Sequence, residues 1–581
     1  MAILPLVEIP ARALLRTGIS GSGAFVQHLT LWVAFLGAAL AAREGRLLAL
    51  ATASFIPEGR WRRLAGIISA AIAAAVSVLL CRAGVAMVLV ERAAGTRFAA
   101  GVPVWIAQAV MPVAFALIAV RLVWRASPNA LGRLLAATGI LAGALVGQIP
   151  GLLEGKPVWP GLALVVLGTA LGGPLFAALG GVAVLLFLHG GVPIAAVPVE
   201  TYRLTVSPTL PAIPLFTLTG FFLSESRASK RLLRVFRALV GWIPGGTAVV
   251  CAVVCAFFTA FTGGSGVTIL ALGALLFQAL REDSYRERFS LGLLTATGSL
   301  GLLFPPSLPL IVYGIVAQTP IEDLFIGGVL PGFLLLALVA GWGMREGMLS
   351  GAGRARFDWR EARAAIDQAK WELLLPVIVL VAIFGGFATV VEAAALTVLY
   401  VFVVECFVER DLSVRRDVPR VLFQCVMLVG GVMVILGAAM GLTSYLVDAE
   451  VPARLVEWTK GHVHSQTAFL LYLNLFLLVV GCLMDIFSAI VVVVPLIVPV
   501  GMAFGVNPVH LGIIFVANLE LGYLTPPVGL NLYLASYRFD RPMLEVCRAA
   551  VPYIVILGVG VLVITYVPWL TTWLLTATGR S

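Results

Sequence analysis

Followed along the chain, apolar positions fall into long runs, and polar positions gather in short loops between them. Residues 66–90, 105–123, 373–388 and 553–566 are four such runs, each near the length that crosses about 30 Å of hydrocarbon as a helix. More than a dozen spans or half-spans follow one another, and the short alternating segments of a membrane β-barrel are absent. Two stretches interrupt the pattern. "GSLGLLFPPSLPLIVYG" (298–314) and "ELGYLTPPVGLNLYLAS" (520–536) lie in apolar surroundings, yet each holds a proline pair and several glycines. Proline removes a backbone donor and clashes with the preceding turn, so each pair predicts a broken helix.

The runs divide near residue 155 into a region 1–155 and a larger region 156–581. The first contains an apolar run around 29–42, a stretch "REGRLLALATASFIPEGRWRR" (43–63) that suits a surface-lying amphipathic segment, and spans near 65–90, 103–123 and 131–149. The link "QIPGLLEGKPVWPG" (148–161) is rich in proline and glycine, as interdomain connections often are.

The larger region repeats itself, with halves of about 160–370 and 371–581. A shift of 221 positions carries Gly301-x-Leu303-x-Pro305-Pro306 onto Gly522-x-Leu524-x-Pro526-Pro527, and "TGGSG" (262–266) onto "LMDIF" (483–487). Each half therefore places a helix-unfriendly tip some forty residues before its double proline. Irregular backbone at membrane depth is tolerated only inside protein or beside a water-filled cavity. Broken helices at matching places in two halves point to a transporter's binding site.

Charge adds direction. The net charge is +10 with 12% charged residues against 61% hydrophobic ones. The basic residues sit in short loops, so they form the positive-inside pattern of a membrane protein and not a nucleic-acid surface. The segments 60–63, 227–237, 354–363 and 410–420 are accordingly assigned to the cytoplasm. "REDSYRER" (281–288) carries three arginines and its counterpart "MAFGVNPV" (502–509) none, so the two halves are expected in opposite orientations. No cleavable signal peptide is expected.

Other chemistry is thin. The seven cysteines lie mostly in apolar segments and read as small buried hydrophobes. His462 and His464 lack the further ligands a metal site needs. There is no GxxxxGK[ST], so an ATP-driven mechanism would need a separate subunit. A membrane-embedded redox or quinone-binding subunit would want paired intramembrane histidines or a cysteine framework, and His28, His189 and His510 are scattered singly. Enzyme activity is not expected, and neither is a cofactor.

At these motifs the chain resembles the membrane part of a tripartite ATP-independent periplasmic (TRAP) transporter. In the large subunit the resemblance runs through "ALGGPLFAALGG" (170–181), "PVETYRLTVSPTLPAIPLFTLTGFFLSES" (198–226), "RALVGWIPGG" (237–246), "TGSLGLLFPPSLPLIVYG" (297–314), "GGVLPGFLL" (327–335), "GCLMDIFSAI" (481–490) and "NLELGYLTPPVGLNLYLAS" (518–536). In the small subunit it rests on "LWVAFLGAALAAREGRLLAL" (31–50), so both subunits are expected on one chain. The resemblance implies an all-α polytopic membrane protein in the bacterial inner membrane, an elevator-type secondary transporter. Two re-entrant hairpins and two broken helices would form its transport domain, and the small-subunit region would extend the scaffold. It implies uptake of an organic anion bearing a carboxylate, delivered by a periplasmic substrate-binding protein and driven by Na+. The expected assembly is a monomer or a dimer.

Site residues follow from the same resemblance. Thr262, Gly263, Gly264 and Ser265 stand where the family has Ser-Gly-Ser-Ser, so Gly264 has lost a hydroxyl. Gly298, Ser299, Gly301, Pro305, Pro306 and Ser307 match the first broken helix, Asp485 the acid of the second hairpin, and Thr525, Pro526, Pro527, Gly529 and Asn531 the second break. Thr262, Ser265, Ser299, Asp485 and Thr525 are the Na+ candidates. Two departures stand out: the family's Thr-Pro-Thr-Glu-Ala-Ala is here Thr389-Val-Val-Glu392-Ala-Ala, and the segment before the first clear span is short. No basic residue lies within twenty positions of Asp485, so it reads as an unpaired intramembrane acid, a default functional site. Glu392 is expected either to pair with a scaffold residue or to cap a helix, and Asn518 and Glu520 to anchor the second break. The competing carrier reading is a Na+/dicarboxylate or citrate-type permease that needs no binding protein.

Overall fold

The computed structural model describes residues 1–15, 18–49, 56–57, 59–149, 154–351 and 357–580. Among them the regular elements are helices, and β-structure is limited to isolated bridges. Eleven of the helices are long and apolar enough to cross a membrane. The chain is an all-α polytopic membrane protein.

It opens with α1 (Ile3–Leu15), α2 (Ser22–Glu44), α3 (Arg60–Ala94), α4 (Val104–Gln108), α5 (Val110–Ala126) and α6 (Ala130–Gln148). Small residues draw these together: a Cβ on Gly139 or Gly143 of α6 would come within 2.0 or 2.5 Å of the Ala71 or Ala75 carbonyl of α3. In lipid the hydrophobic effect does not favour helix pairing, so close backbone approach at small residues does the work. The surface-lying segment expected over 43–63 is shorter than the pattern suggests. Arg60–Arg63 already belong to α3, because no breaker separates them from the apolar run, and residues 50–55 and 58 lie outside the described residues. At 35 residues, α3 is about 52 Å long and outruns the hydrocarbon.

Next come α7 (Trp159–Ala170), α8 (Leu175–His189), α9 (Ala196–Thr205), α10 (Ala212–Glu225) and α11 (Ala228–Val240). The first half of the repeat follows as α12 (Gly246–Thr262), α13 (Ser265–Glu282), α14 (Glu287–Thr297), α15 (Leu308–Ala317) and α16 (Ile321–Ser350). Then α17 (Trp359–Gln368), α18 (Lys370–Phe384), α19 (Val390–Val403), α20 (Asp417–Asp448) and α21 (Val451–His462) lead to the second half. That half is α22 (Gln466–Leu483), α23 (Ile486–Ala503), α24 (Pro508–Gly522), α25 (Leu530–Phe539) and α26 (Met543–Tyr566), with α27 (Trp569–Ala577) last.

The 221-residue shift survives in three dimensions. It carries the end of α12, both ends of α13 and the start of α14 onto the end of α22, both ends of α23 and the start of α24, residue for residue. It also carries the cis Pro305–Pro306 bond onto the cis Pro526–Pro527 bond. The first break bends its helix by 47°, and the chain restarts at Ser307, whose side chain caps α15. The second restarts after Gly529, at φ +47°.

The described residues pack as two compact units: Met1–Pro214 with Phe423–Arg454 and Val491–Leu496, and Leu215–Leu422 with Leu455–Ile490 and Ile497–Ser581. In the first, α2 crosses α20 backbone to backbone. A Cβ on Gly37 would lie 2.2 Å from the Val426 carbonyl, and one on Gly430 2.1 Å from the Ala38 nitrogen. In the second, the half-helices after each break cross over. Tyr313 of α15 packs on Phe515 of α24 with ring centres 5.8 Å apart, and Leu534 of α25 occupies the space that a Cβ on Gly266 of α13 would need. The same unit buries Arg231 of α11 among carboxylates. It pairs with Glu372 of α18, with Glu405 at 3.1 Å and with Asp411 at 2.6 Å.

Candidate functional site

The first-half tip is built by glycine. Gly263 ends α12 in the left-handed region at φ +65°, and a Cβ there would strike the Leu308 side chain at 2.2 Å. Gly264 then starts α13 in extended backbone without a side-chain cap. Hydroxyls cluster beneath this tip. Thr259 Oγ1 lies 2.8 Å from each of the Cys255 carbonyl, the Gly298 carbonyl and Thr268 Oγ1. One hydroxyl proton serves only one acceptor at a time, and the result is a cluster of closely spaced hard oxygens. Thr262 Oγ1 adds a contact of 3.4 Å to Thr268 Oγ1, and the Ser265 hydroxyl is buried without a hydrogen-bond partner among the described residues.

The first break joins the same cluster. Gly301 is packed so closely that a Cβ would meet the Ala256 carbonyl at 2.2 Å. Ser299 is fully buried, and its Oγ accepts a 3.3 Å bond from Asn531 Nδ2, which also donates to the Thr295 carbonyl at 3.1 Å. Asn531 thus crosses from the second break to the first, and its own Oδ1 is left without a partner. Ser307 faces away from this chemistry: it caps α15 and donates to the Leu302 carbonyl.

The second tip ends and restarts its helices at the equivalent residues by a different turn, with Met484 in extended backbone where Gly263 is left-handed. Asp485 occupies the place of Gly264 and caps α23 with its own carboxylate. Oδ1 accepts from the Phe487 and Ser488 amides at 3.0 and 3.1 Å, and Oδ2 accepts from the Ser488 hydroxyl. Its charge is therefore stabilised by its own helix N-terminus, and the picture of a lone unpaired acid gives way to that of a cap. The tip is tied to the second break twice. The Ile486 amide donates to the Tyr523 hydroxyl at 2.6 Å, and the Gly529 amide to the Cys482 carbonyl at 3.1 Å. Gly481 and Gly522 bring α22 and α24 into direct backbone contact, since a Cβ on Gly522 would fall 2.6 Å from the Gly481 Cα.

The remaining predicted residues separate. Thr525 donates to the Leu521 carbonyl at 3.0 Å, and Pro526 and Pro527 are exposed in the bend. Asn518 anchors α24 to α22 through Asn474 Oδ1 at 2.7 Å, which also accepts from Thr565. Glu520, by contrast, has no hydrogen-bond partner on either oxygen among the described residues. Glu392 forms a capping box with Thr389, whose amide it accepts at 2.8 Å. That box keeps the end of α19 ordered although the family's proline is missing. Thr259, Thr268 and Tyr523 were not singled out from sequence. Nothing in a run of apolar helix separates a threonine that bonds its own backbone from one that faces a site.

Among the described residues no group of three or more His, Cys, Asp or Glu is placed to hold a metal ion. The oxygen sets are instead hydroxyls and carbonyls in the first half and carboxyls in the second. Such hard oxygens, neutral in the first half and carboxyl in the second, suit a hard cation better than a soft transition metal.

Comparison with known proteins matches residues 162–570 to the family described as tripartite ATP-independent periplasmic transporter, DctM component, and residues 1–128 to its DctQ component. The chain is 33% identical over 436 residues to a C4-dicarboxylate TRAP transporter large permease protein of Vibrio cholerae serotype O1, covering 71% of this chain and 96% of that one. It is 35% identical over 483 residues to an isethionate TRAP transporter permease protein of Oleidesulfovibrio alaskensis, covering 80% of this chain and 74% of that one. Among solved structures, the Alcanivorax borkumensis YdaH transporter aligns at 13% identity and TM-score 0.45, covering 61% of this chain and 84% of that one.

Proposed function

The chain belongs to the TRAP transporter family, with small and large permease components fused, and from that premise we propose how it works: Na+-coupled uptake of an organic acid anion handed over by a periplasmic substrate-binding protein. It is a multi-pass inner-membrane permease of a secondary uptake system. The observation that carries the finer reading is the pair of matching modules, each a polar tip tied to a cis-proline break. Such a pair offers two sets of oxygen ligands and two broken backbones, which is what a carrier needs to hold cations beside a solute. The crossing of α15 and α25 supports movement of the two modules together, as an elevator requires.

The Na+ site of the first half is assigned to Thr262, Ser265 and Ser299, with Thr259 and Thr268 beside them, and that of the second to Asp485 and Thr525. The solute contacts would come from Gly263, Gly264, Gly298, Gly301 and Asn531 around the breaks. Among these, Asn531 is best placed, because its free Oδ1 lies where both halves meet. The relatives name C4-dicarboxylates in one case and isethionate in the other at similar identity, so identity at this level does not assign the solute of this chain. A binding protein would do so.

In proteoliposomes with an inward Na+ gradient, solute should accumulate only when the cognate binding protein is outside. Robust uptake without it would move the chain to the binding-protein-independent, citrate-type reading. Accumulation that proceeds equally on a K+ gradient would remove Na+ from the scheme.

A further inference from the structure

Glu520 sits two residues before the end of α24 and is 1% exposed. Neither of its carboxyl oxygens has a hydrogen-bond partner among the described residues. Asp485 is partly exposed and spends both oxygens on its own helix. An ionised carboxylate without donor or counter-charge in an apolar setting carries an uncompensated desolvation cost, which it relieves by taking up a proton or a cation.

The surroundings supply no compensating charge. Of the helices packed on α24, α15, α22 and α27 hold no Asp, Glu, Lys or Arg. On α16 and α26 such residues are Glu322, Asp323, Arg345, Glu346, Glu545 and Arg548, towards the helix ends. Leu521 approaches α26 at Gly558, ten residues and about 15 Å past Arg548. His510 lies a similar distance down α24 and is engaged by Thr565 and Thr571. Cys482 gives its thiol to the Val479 carbonyl. The near titratable partners are Tyr523, whose hydroxyl lies within electrostatic range of both Glu520 and Asp485, and Asp485 itself.

The repeat assigns this position a place in the site. A shift of 221 puts Glu520 on Ser299, a buried hydroxyl of the first-half cluster. We propose that Glu520 is a proton-binding site, holding a proton in this conformation and exchanging it with water when the Asp485 tip separates from Tyr523. The carboxyl O–H bond breaks on release, the proton passes to water and the carboxylate remains; the bond re-forms on return. The role in a transport cycle rests on the Na+-coupled reading above. A cation beside Asp485 would favour the ionised form of Glu520, so sodium binding and proton release become linked.

Infrared absorption of the full-length chain in lipid bilayers tests this without transport. Wild type should show the carbonyl stretch of a neutral, deuterium-sensitive carboxylic acid at neutral pH, absent from Glu520→Gln and lost as the pH is raised. Glu520→Asp, which keeps an acid, serves as the second variant if Glu520→Gln does not fold. Replacing K+ by Na+ should move the loss of the band to lower pH by about one unit, as expected for a cation close to an acid. A neutral-pH difference between wild type and Glu520→Gln that lies in the carboxylate bands and not in a neutral-acid band, or a neutral-acid band that no pH tolerated by the folded chain removes, overturns the proton assignment. A titration that Na+ does not move leaves that assignment standing and overturns the sodium reading instead.

Discussion

The two tips end and restart their helices at equivalent residues, yet they are made of opposite chemistry. At 263–264 the chain turns on two glycines and leaves the start of α13 without a side-chain cap, with threonine and serine oxygens gathered nearby. At 484–485 it turns on Met484 and Asp485, and the carboxylate closes the start of α23. The helix ends have been kept, while the turn between them differs, Gly263 lying at φ +65° and Met484 at φ −121°, and the electrostatics have been exchanged. The lesson is that the repeat specifies where oxygen ligands stand, and each half then chooses neutral oxygens or formal charge. Gly264 and Asp485, and Ser299 and Glu520, are the two pairs at which that choice was made.

The comparison breaks outright if the halves are not inverted. Single cysteines in 281–288 and 502–509, in a chain otherwise free of reactive cysteines, should label from opposite sides with an impermeant reagent. Labelling from the same side would remove the inverted repeat, whatever the helix ends do. Next in size is a test of shared backbone contact. Gly301→Ala and Gly522→Ala place a Cβ 2.2 Å from the Ala256 carbonyl and 2.6 Å from the Gly481 Cα, where overpacking costs about 1–3 kcal/mol. Both should lower the unfolding temperature in detergent by similar amounts. Tolerance at one site alone would show that the breaks are not equivalently packed.

The choice of chemistry is probed by exchanging it. Asp485→Asn keeps the Oδ1 acceptor and so most of the cap, while removing the charge. The Na+ concentration for half-maximal uptake should rise about tenfold, equivalent to about 1.4 kcal/mol. Gly264→Asp is the reciprocal change. A Cβ there meets its nearest neighbour, Val267 Cγ2, at an ordinary 3.7 Å, so the variant should fold and cap α13 as Asp485 caps α23. Its sodium requirement should fall. An unchanged sodium requirement in both variants would separate the tips from cation binding. The smallest effect is expected at Glu392→Gln, where the amide oxygen can still accept from Thr389. Unfolding should shift by well under 1 kcal/mol and sodium dependence not at all. A large sodium effect there would move the charged site out of the second tip.

Much of this was legible because its causes are local. Proline lacks an amide proton wherever it stands, so 305–306 and 526–527 had to break helices, and glycine at 263 admits a left-handed turn that the residues around it resist. The 221-residue shift was visible for the same reason, as each half repeats the local breakers and not merely a hydropathy profile. The capping role of Asp485 is equally local, since its partners are two and three residues on.

Tertiary structure alone decided the rest. Asn531 meets Ser299 across 232 residues of sequence, and Tyr523 meets Ile486 across 37. Both contacts depend on how broken helices cross, which no short-range preference encodes. Nor could the sequence tell Asn518 from Glu520, polar neighbours on one apolar helix. The first finds Asn474 on α22, and the second finds no partner. Two positions apart on a helix, side chains point about 200° from each other, so one meets a polar partner on α22 and the other, among the described residues, meets none. The sequence by itself determined where the backbone must break and restart, because sterics and missing donors act within a few residues. Which side chains would face one another across those breaks was left to the packing of the two halves.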